Sequence, residues 1–219
     1  MKIKVNNVNL FYEKSGSGTP LILLHGNGED HHIFDELSKK LRQNFTVYAV
    51  DSRNHGESEK TDDYSYETMT EDVYAFISAL NLGKVNLAGF SDGAIINLLL
   101  AMHHPGVVSK MALLGLNLKP SDFTEENIRF ISEMYEETKD PLFQLMLEQP
   151  NIELESLKSI SVPALVIGAE FDLFRPRLFE EIAAALPNAE LLIMKGHEHD
   201  SYVTHQDVLY PNFVSFFSE

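Results

Sequence analysis

Ser91 lies at the centre of residues 89–93, which read Gly-Phe-Ser-Asp-Gly. An apolar run at residues 85–88 precedes this segment, and a helical pattern starting near Ala94 follows it. In such a strand-turn-helix setting, the flanking glycines let the strand and the helix approach each other while the serine hydroxyl stays exposed. A helix N-terminus also favours developing negative charge. The pattern therefore predicts that Ser91 is a nucleophile for acyl transfer; the alternative is a glycine-rich turn with an incidental serine.

A serine nucleophile needs a base within hydrogen-bond reach, and that base needs an acid that orients it. The order serine, acid, histidine along the chain can be searched directly. Asp172 follows the apolar run at residues 164–167, so it stands at the carboxyl end of a predicted strand, on the same side of the sheet as Ser91. We predict Asp172 as the orienting acid. Glu170 is the competing acid, and its position closer to the strand makes it less suited to reach the histidine.

Two histidines, His197 and His199, follow the last apolar run at residues 191–194. A base has to extend from a loop beyond the strand to reach across to the serine. This requirement favours the more distal His199 as the general base and leaves His197 as the alternative. The His-Glu-His-Asp segment at residues 197–200 could also suggest a metal site, but no third ligand stands at a recognisable spacing elsewhere. We therefore expect neither a metal nor a cofactor.

Acyl transfer also needs hydrogen-bond donors for the oxyanion of the tetrahedral intermediate. The backbone N–H of Asp92 directly follows the predicted nucleophile and is one candidate donor. The second should come from the loop after the apolar run at residues 21–24, where residues 25–28 read His-Gly-Asn-Gly. We predict that the Asn27 backbone N–H is this second donor. The alternative is a plain glycine-rich turn that closes a strand.

The elements that must position these residues follow a regular alternation of strands and helices. Short apolar runs of the kind buried on both faces of a parallel sheet occur at residues 21–24, 46–50, 85–88, 111–114, 164–167 and 191–194. Helical patterns lie between most of them, at residues 33–42, 68–80, 94–103 and 177–186. This alternation predicts an α/β fold with a mostly parallel, doubly wound sheet and right-handed crossovers.

Two segments depart from the alternation. Residues 2–5 and 8–12 alternate polar and apolar residues around Asn6 and Asn7, which predicts an N-terminal antiparallel hairpin. Residues 118–160 hold helical patterns without a clear strand and read as an insertion. Because ligands bind beyond the carboxyl ends of the strands in such sheets, this insertion is well placed to form a short helical lid.

The composition is that of an ordinary globular protein. The chain has 219 residues, of which 44% are hydrophobic and 23% charged, so we expect a single domain spanning residues 1–219. The net charge of −16 disfavours nucleic acid, anionic membrane surfaces and polyphosphates as partners, and a neutral small molecule fits better. The chain has no cysteine, which excludes disulfides and thiolate nucleophiles. No secretory signal or membrane span is visible, so we expect a cytoplasmic protein. The sequence indicates no particular oligomeric state.

With these motifs in place, the sequence resembles the α/β-hydrolase superfamily, and within it the compact esterase-like and lipase-like serine hydrolases. The resemblance covers essentially the whole chain and is carried by residues 25–28, 51–58, 89–93, 168–172 and 196–199. The family's usual Gly-x-Gly-His ending is matched at residues 196–199 with Glu198 in place of the second glycine, and this register implies His199. The Asp-x-Arg-x-x-Gly-x-Ser segment at residues 51–58 looks like a mainly structural loop of the family.

The resemblance implies a Ser-His-Asp hydrolase that acts on a carboxylic ester or a related small acyl substrate. The turn at residues 89–93, which we call the elbow, has a serine at its centre. The branches of the family that hydrolyse haloalkanes and epoxides use an aspartate at this position. The same fold also hosts ligand receptors and signalling proteins with slow or absent turnover, and these form the alternative class of function.

Overall fold

The computed structural model describes residues 1–218 of the chain. Its strands are β1 Lys2–Val5, β2 Val8–Gly16, β3 Thr19–Leu24, β4 Phe45–Val50, β5 Val85–Phe90, β6 Val108–Leu114, β7 Ala164–Phe171 and β8 Ala189–Glu198. They form one sheet of eight strands in the order β1-β2-β4-β3-β5-β6-β7-β8. The strands from β3 to β8 pair in parallel, which confirms the predicted mostly parallel sheet.

The N-terminal hairpin is also confirmed. Strands β1 and β2 pair antiparallel, and the two turn residues Asn6 and Asn7 have φ angles of 43° and 63°. Asparagine tolerates this left-handed backbone better than most residues do. Strand β2 is longer than predicted because its second half pairs antiparallel with β4 through backbone hydrogen bonds. The residues of this second half do not alternate between polar and apolar, so the sequence pattern placed the end of the strand at residue 12.

Within residues 1–218, seven α-helices surround the sheet: α1 Asp35–Leu41, α2 Tyr66–Ala79, α3 Asp92–His103, α4 Glu125–Thr138, α5 Pro141–Glu148, α6 Leu178–Ala185 and α7 Tyr210–Ser218. Shorter 3-10 helices span His31–Phe34, Pro105–Val107, Pro120–Asp122 and Leu154–Ser159. Helix α7 was not predicted from the sequence. None of the helices within residues 1–218 combines the length and hydropathy that a membrane crossing requires.

Polar caps define the starts of several helices. The Ser65 side chain accepts a hydrogen bond from Thr68 N–H at the start of α2, and Thr124 accepts one from Asn127 N–H at the start of α4. Asp140 caps α5, whose first residue is a proline. Such caps satisfy backbone N–H groups that have no partner inside the helix, and proline fits the first turn because it lacks this N–H.

The core has two layers, one on each face of the sheet. Successive residues of β3 show this division, since Leu21 and Leu23 pack on the face of α1 and α7 while Ile22 and Leu24 pack on the face of α2, α3 and α6. All four side chains are fully buried. A strand buried on both faces needs a continuous apolar run, which is the pattern that the sequence shows.

The predicted insertion lies between β6 and β7. Within residues 118–160, the structure has helices α4 and α5 and two 3-10 helices. Its one strand-like contact is an isolated bridge between Phe123 and Phe174. The helical content of this segment therefore agrees with its pattern, and α4 and α5 pack against each other at the carboxyl end of the sheet.

Candidate active site

Ser91 occupies a sharp turn between the end of β5 and the start of α3. Its backbone has φ 51° and ψ −113°, a conformation that costs a non-glycine residue about 1–3 kcal/mol. A Cβ on Gly89 would lie 2.2 Å from the Gly93 carbonyl oxygen, and one on Gly93 would lie 2.2 Å from the Leu24 carbonyl oxygen. Only glycine fits at both positions, because the backbone approaches each of them too closely for a side chain. The Ser91 N–H donates a 2.7 Å hydrogen bond to the Leu114 carbonyl, which fixes the turn to β6.

Asp172 and His199 form a hydrogen-bonded pair. The distance between His199 Nδ1 and Asp172 Oδ1 is 2.7 Å, and the two side chains are 13% and 5% exposed. The Asp172 carboxylate also accepts the backbone N–H groups of Ala169 and Leu173, at 3.0 Å and 2.8 Å. An acceptor-only carboxylate at Nδ1 places the proton on that nitrogen, so His199 Nε2 keeps a lone pair that can accept a proton.

The two competing residues have other partners. Glu170 Oε2 accepts a 2.7 Å hydrogen bond from Gly196 N–H and so links β7 to β8. His197 Nδ1 lies 3.0 Å from the Ser201 hydroxyl oxygen. Ser91, Asp172 and His199 all line one cavity. No hydrogen bond within residues 1–218 joins the Ser91 hydroxyl to His199, and such bonds often tighten only when substrate is bound.

The His199 ring sits in a narrow slot. The Phe90 ring centroid lies 4.9 Å from it, and Phe174 meets it edge-on with a centroid distance of 5.5 Å. The third wall is Gly115, which has φ 57° directly after β6; a Cβ there would lie 2.8 Å from His199 Cε1. The imidazole therefore occupies space that any side chain at residue 115 would need. Sequence reasoning missed this glycine because nothing in its neighbourhood points to a histidine far along the chain.

The loop after β3 has its orientation set by His25. His25 Nε2 accepts a 3.0 Å hydrogen bond from Ser52 N–H, so Nδ1 carries the proton and donates to the Gly26 carbonyl oxygen at 2.7 Å. Burial, assisted by the neighbouring His55, lowers the pKa of His25 to about 4. His25 is thus uncharged at neutral pH. It acts as a structural link between two loops at the carboxyl end of the sheet.

The side chains of the two predicted oxyanion residues are bonded to each other. Asn27 Nδ2 donates to Asp92 Oδ2 at 3.0 Å, and the Tyr66 hydroxyl donates to Asp92 Oδ1 at 2.7 Å. Burial raises the pKa of Asp92, while the Tyr66 hydrogen bond acts in the opposite direction. Among the hydrogen bonds described for residues 1–218, none uses the backbone N–H of Asn27 or Asp92. The Tyr66 contribution was missed because Tyr66 belongs to none of the motifs and reaches Asp92 only through the packing of α2 in the folded chain.

The cavity has a volume of about 700 Å³ and two kinds of wall. Leu142, Phe143 and Met146 of α5 give it an apolar side. Six acidic residues also line it: Glu29, Glu126, Asp140, Asp172, Glu198 and Asp200. No lysine or arginine of the described residues lines the cavity, so its electrostatic potential is negative. Of the acidic residues, sequence reasoning had singled out Asp172 alone for a role.

Within residues 1–218, a group of possible metal ligands occurs outside the cavity, where the loop after β3 meets the 3-10 helix His31–Phe34. Asp30, His31 and His32 bring possible ligand atoms within 4.8 Å of one another. However, His31 Nδ1 is hydrogen-bonded to Asp51 at 2.8 Å, and Asp30 caps the 3-10 helix by accepting His32 N–H at 2.9 Å. These contacts give the three residues structural partners.

Comparison with known proteins agrees with this architecture. Residues 19–144 match the family described as the alpha/beta hydrolase fold. The human serine hydrolase BPHL is 30% identical over 241 residues, a match that covers 94% of this chain and 82% of that protein.

Two solved structures are similar along their whole length. The meta-cleavage product hydrolase of Pseudomonas fluorescens IP01 superposes with a TM-score of 0.84 at 19% identity and covers 100% of this chain and 97% of its own. The enol-lactonase of Burkholderia xenovorans LB400 gives a TM-score of 0.83 at 21% identity and covers 100% of both chains. At these identities the two structures support the fold alone. Together with the matched family and the human relative, they lead to one conclusion: the chain belongs to the α/β-hydrolase fold family, and its relatives support a hydrolase activity.

Proposed function

We propose that this chain is a serine hydrolase that cleaves a carboxylic ester or a related small acyl substrate by two-step acyl transfer. The observation that carries this function is the meeting, in one cavity, of Ser91 on its strained turn and the 2.7 Å pair of His199 and Asp172. A strained, glycine-flanked serine beside an oriented imidazole is the arrangement that activates a hydroxyl for attack on a carbonyl.

In the first step, the Ser91 oxygen attacks the carbonyl carbon while His199 Nε2 takes the hydroxyl proton. The carbonyl oxygen becomes an oxyanion and accepts hydrogen bonds from the Asn27 and Asp92 N–H groups. When the bond to the leaving group breaks, His199 returns the proton to the departing alcohol. Water then attacks the acyl-enzyme with His199 again accepting a proton, and Ser91 leaves with that proton restored. Asp172 stabilises the imidazolium in both steps.

Residues 118–160 act, in this proposal, as a short helical lid within a single domain of residues 1–219. Helix α5 supplies the apolar wall of the cavity, α4 contributes the polar residues Glu126 and Asn127, and Asn27 Nδ2 donates a 3.3 Å hydrogen bond to the Leu142 carbonyl of α5. This bond links the lid to the loop that holds a proposed oxyanion donor. Movement of α5 would therefore be felt at the reacting centre.

The acyl group is expected to be uncharged. An anionic group in this cavity would be repelled, because six acidic residues line it and no lysine or arginine of residues 1–218 does. The same repulsion acts against polyanions such as nucleic acid and against anionic membrane surfaces, and the net charge of −16 adds to it. The apolar side of the cavity, formed by α5, suits a short aliphatic chain.

The test combines labelling and turnover. A fluorophosphonate is expected to modify the wild-type chain once, on the peptide that contains Ser91, and to leave Ser91→Ala unmodified. Wild type should hydrolyse p-nitrophenyl esters over a range of acyl lengths. It should also cleave methyl pentanoate at least about tenfold faster, in kcat/KM, than monomethyl glutarate, which replaces the terminal methyl by a carboxylate.

The possible results separate cleanly. A wild-type chain that is neither labelled nor active on any ester would refute the acyl-transfer function. Rapid labelling and acylation with no deacylation would instead favour a ligand-binding or signalling role on the same fold. Equal kcat/KM for the two methyl esters would contradict the uncharged acyl group while leaving the mechanism intact.

Replacing Gly115 with alanine is expected to lower kcat by about 100-fold or more, although no proposed catalytic residue is itself replaced. The added methyl group would lie 2.8 Å from His199 Cε1, so the imidazole has to move, and a displacement of about 1 Å at a catalytic group costs on the order of 10²-fold. Steady-state kinetics on a p-nitrophenyl ester measures the effect.

Gly83→Ala is the matched control, since Gly83 also has a positive φ, 69°, while a Cβ there meets no atom within 4 Å. Thermal unfolding separates loss of alignment from loss of fold, because Gly115 also has a left-handed backbone that alanine tolerates poorly. If folded Gly115→Ala kept wild-type kcat, the slot would not control the position of His199.

A further inference from the structure

The Glu29 side chain folds back onto the loop that carries Asn27. Its Oε2 atom accepts a 2.9 Å hydrogen bond from Gly26 N–H, and the Glu29 backbone N–H donates a longer one, 3.4 Å, to the Gly26 carbonyl oxygen. The Gly26 carbonyl also accepts the Nδ1 proton of His25 at 2.7 Å. Residues 26–29 are therefore closed by contacts from both the backbone and the side chain of Glu29.

These contacts set the direction of the Asn27 N–H. The Gly26 carbonyl and the Asn27 N–H belong to the same peptide group, and in a trans peptide the two point in opposite directions. Because His25 and Glu29 hold the carbonyl on one side, the Asn27 N–H must face the other side. The Glu29 carboxyl adds a restraint on the neighbouring His25–Gly26 peptide, because it accepts Gly26 N–H, and so limits rotation of the Gly26 backbone.

Glu29 also lies beside the proposed nucleophile. A Cβ on Gly26 would be 2.7 Å from Glu29 Oε2 and 3.1 Å from Ser91 Cβ, so both atoms stand close together on one side of Gly26. Glu29 is half-buried and lines the same cavity as Ser91 and His199. On an exposed loop, water would solvate the charge of a carboxylate. At this half-buried position the carboxyl group is less well solvated, so it needs a partner such as Gly26 N–H.

We propose that Glu29 is a positioning residue, whose carboxyl holds Gly26 N–H and thereby restrains the Gly26 backbone, so that the N–H of the adjoining Gly26–Asn27 peptide can bind the oxyanion. This role rests on the proposed acyl-transfer function. An acceptor oxygen at this position suffices for it, so glutamine can replace glutamate, whereas alanine leaves Gly26 N–H without its partner.

The charge of Glu29 gives the role a pH signature. Burial raises the pKa of Glu29 to about 7, with Asp200 and Asp92 adding to the rise and with the Gly26 hydrogen bond and His199 acting against it. Ionised Glu29 places negative charge beside the group that becomes an oxyanion, so the protonated form supports the reaction better. Ionisation of Glu29 should therefore lower the wild-type rate as pH rises through about 7. Deprotonation of the base acts in the opposite direction, because it raises the rate.

The experiment measures the rate at which diisopropyl fluorophosphate phosphorylates Ser91, with kcat and KM for a p-nitrophenyl ester, as functions of pH. The phosphoryl oxygen of this uncharged probe takes the place of the oxyanion, so the rate reports on the donors without depending on the natural substrate. Glu29→Ala is expected to lower the rate and kcat by about 10- to 100-fold, with a smaller change in KM. Glu29→Gln is expected to stay within about threefold of wild type at pH 6 and to lose the alkaline fall.

Glu59→Ala is the matched control, because the exposed Glu59 also accepts a backbone N–H, from Asn9 at 2.9 Å, but lies outside the cavity. Thermal unfolding verifies that each variant is folded. A labelled wild type whose rate Glu29→Ala leaves unchanged would overturn the positioning role alone. So would a Glu29→Gln variant that is as slow as Glu29→Ala. A wild type that is not labelled would overturn the acyl-transfer function and this role with it.

Discussion

Replacing His199 with alanine is expected to lower kcat for ester hydrolysis by about 10⁴- to 10⁶-fold. The proposed mechanism uses His199 in both steps, first to take the Ser91 proton and then to activate water. Without the imidazole, the Ser91 hydroxyl remains protonated at neutral pH and attacks carbonyls poorly. What activity remains would come from substrate binding and the oxyanion donors. Steady-state kinetics at fixed pH, with KM measured separately, checks this prediction.

His197→Ala provides the control for this result, since the two histidines are separated by one residue. His197 pairs with the Ser201 hydroxyl and not with Asp172, so its replacement should change kcat by less than about threefold. A small loss of thermal stability, on the order of 1 kcal/mol, is expected from the lost hydrogen bond. The reverse pattern, with His197 essential and His199 dispensable, would overturn the assignment of the base.

The fold was predictable from the sequence because its determinants are local. Each central strand is a continuous apolar run, and β3 shows why: its successive residues enter different core layers on the two faces of the sheet. The hairpin was predictable because Asn6 and Asn7 favour the left-handed turn that the structure adopts. Helix α7 could have been found as well. Its buried residues Phe213, Phe216 and Phe217 have the three- and four-residue spacing of a helix face.

Part of the candidate site was predictable for the same reason. Residues 89–93 include every residue that this turn requires, namely two glycines and a serine between a strand and a helix. The pair of Asp172 and His199 was chosen by position relative to strand ends, and the structure places these two side chains 2.7 Å apart. Their roles in chemistry stay predictions until turnover is measured.

The remaining parts of the site depend on contacts between distant segments. Gly115 is required to be small only because the loop after β8 brings His199 against it. Tyr66 reaches Asp92 from α2, and Glu29 acquires its raised pKa from burial next to the elbow. None of these residues belongs to a motif with a recognisable spacing. Their roles depend on how distant segments pack in the folded chain, and local residue patterns do not predict such contacts.

Replacing Asp172 with asparagine is expected to lower kcat by about 10⁴-fold while leaving the fold intact. Asparagine has the same shape as aspartate, and with its carbonyl oxygen at the Oδ2 position it keeps the hydrogen bond from Ala169 N–H, while the amide nitrogen at the Oδ1 position gives up the one from Leu173 N–H. Its amide NH₂ group, however, can donate to His199 Nδ1, which would move the imidazole proton to Nε2. Nε2 would then be unable to accept the Ser91 proton, and the imidazolium would lose its stabilising charge.

Glu170→Gln is the matched control, because it makes the same carboxylate-to-amide change two residues away. Glu170 bonds to Gly196 N–H and lies 3.7 Å from Lys195 Nζ, so its replacement should alter kcat by less than about threefold. The two variants also differ in their expected pH dependence. In Asp172→Asn the residual activity should increase toward alkaline pH, where hydroxide can act in place of the protonated Nε2, while Glu170→Gln should follow the wild-type profile. If Glu170→Gln were the inactive variant, the acid would have been assigned to the wrong residue, and the 2.7 Å pair would be structural.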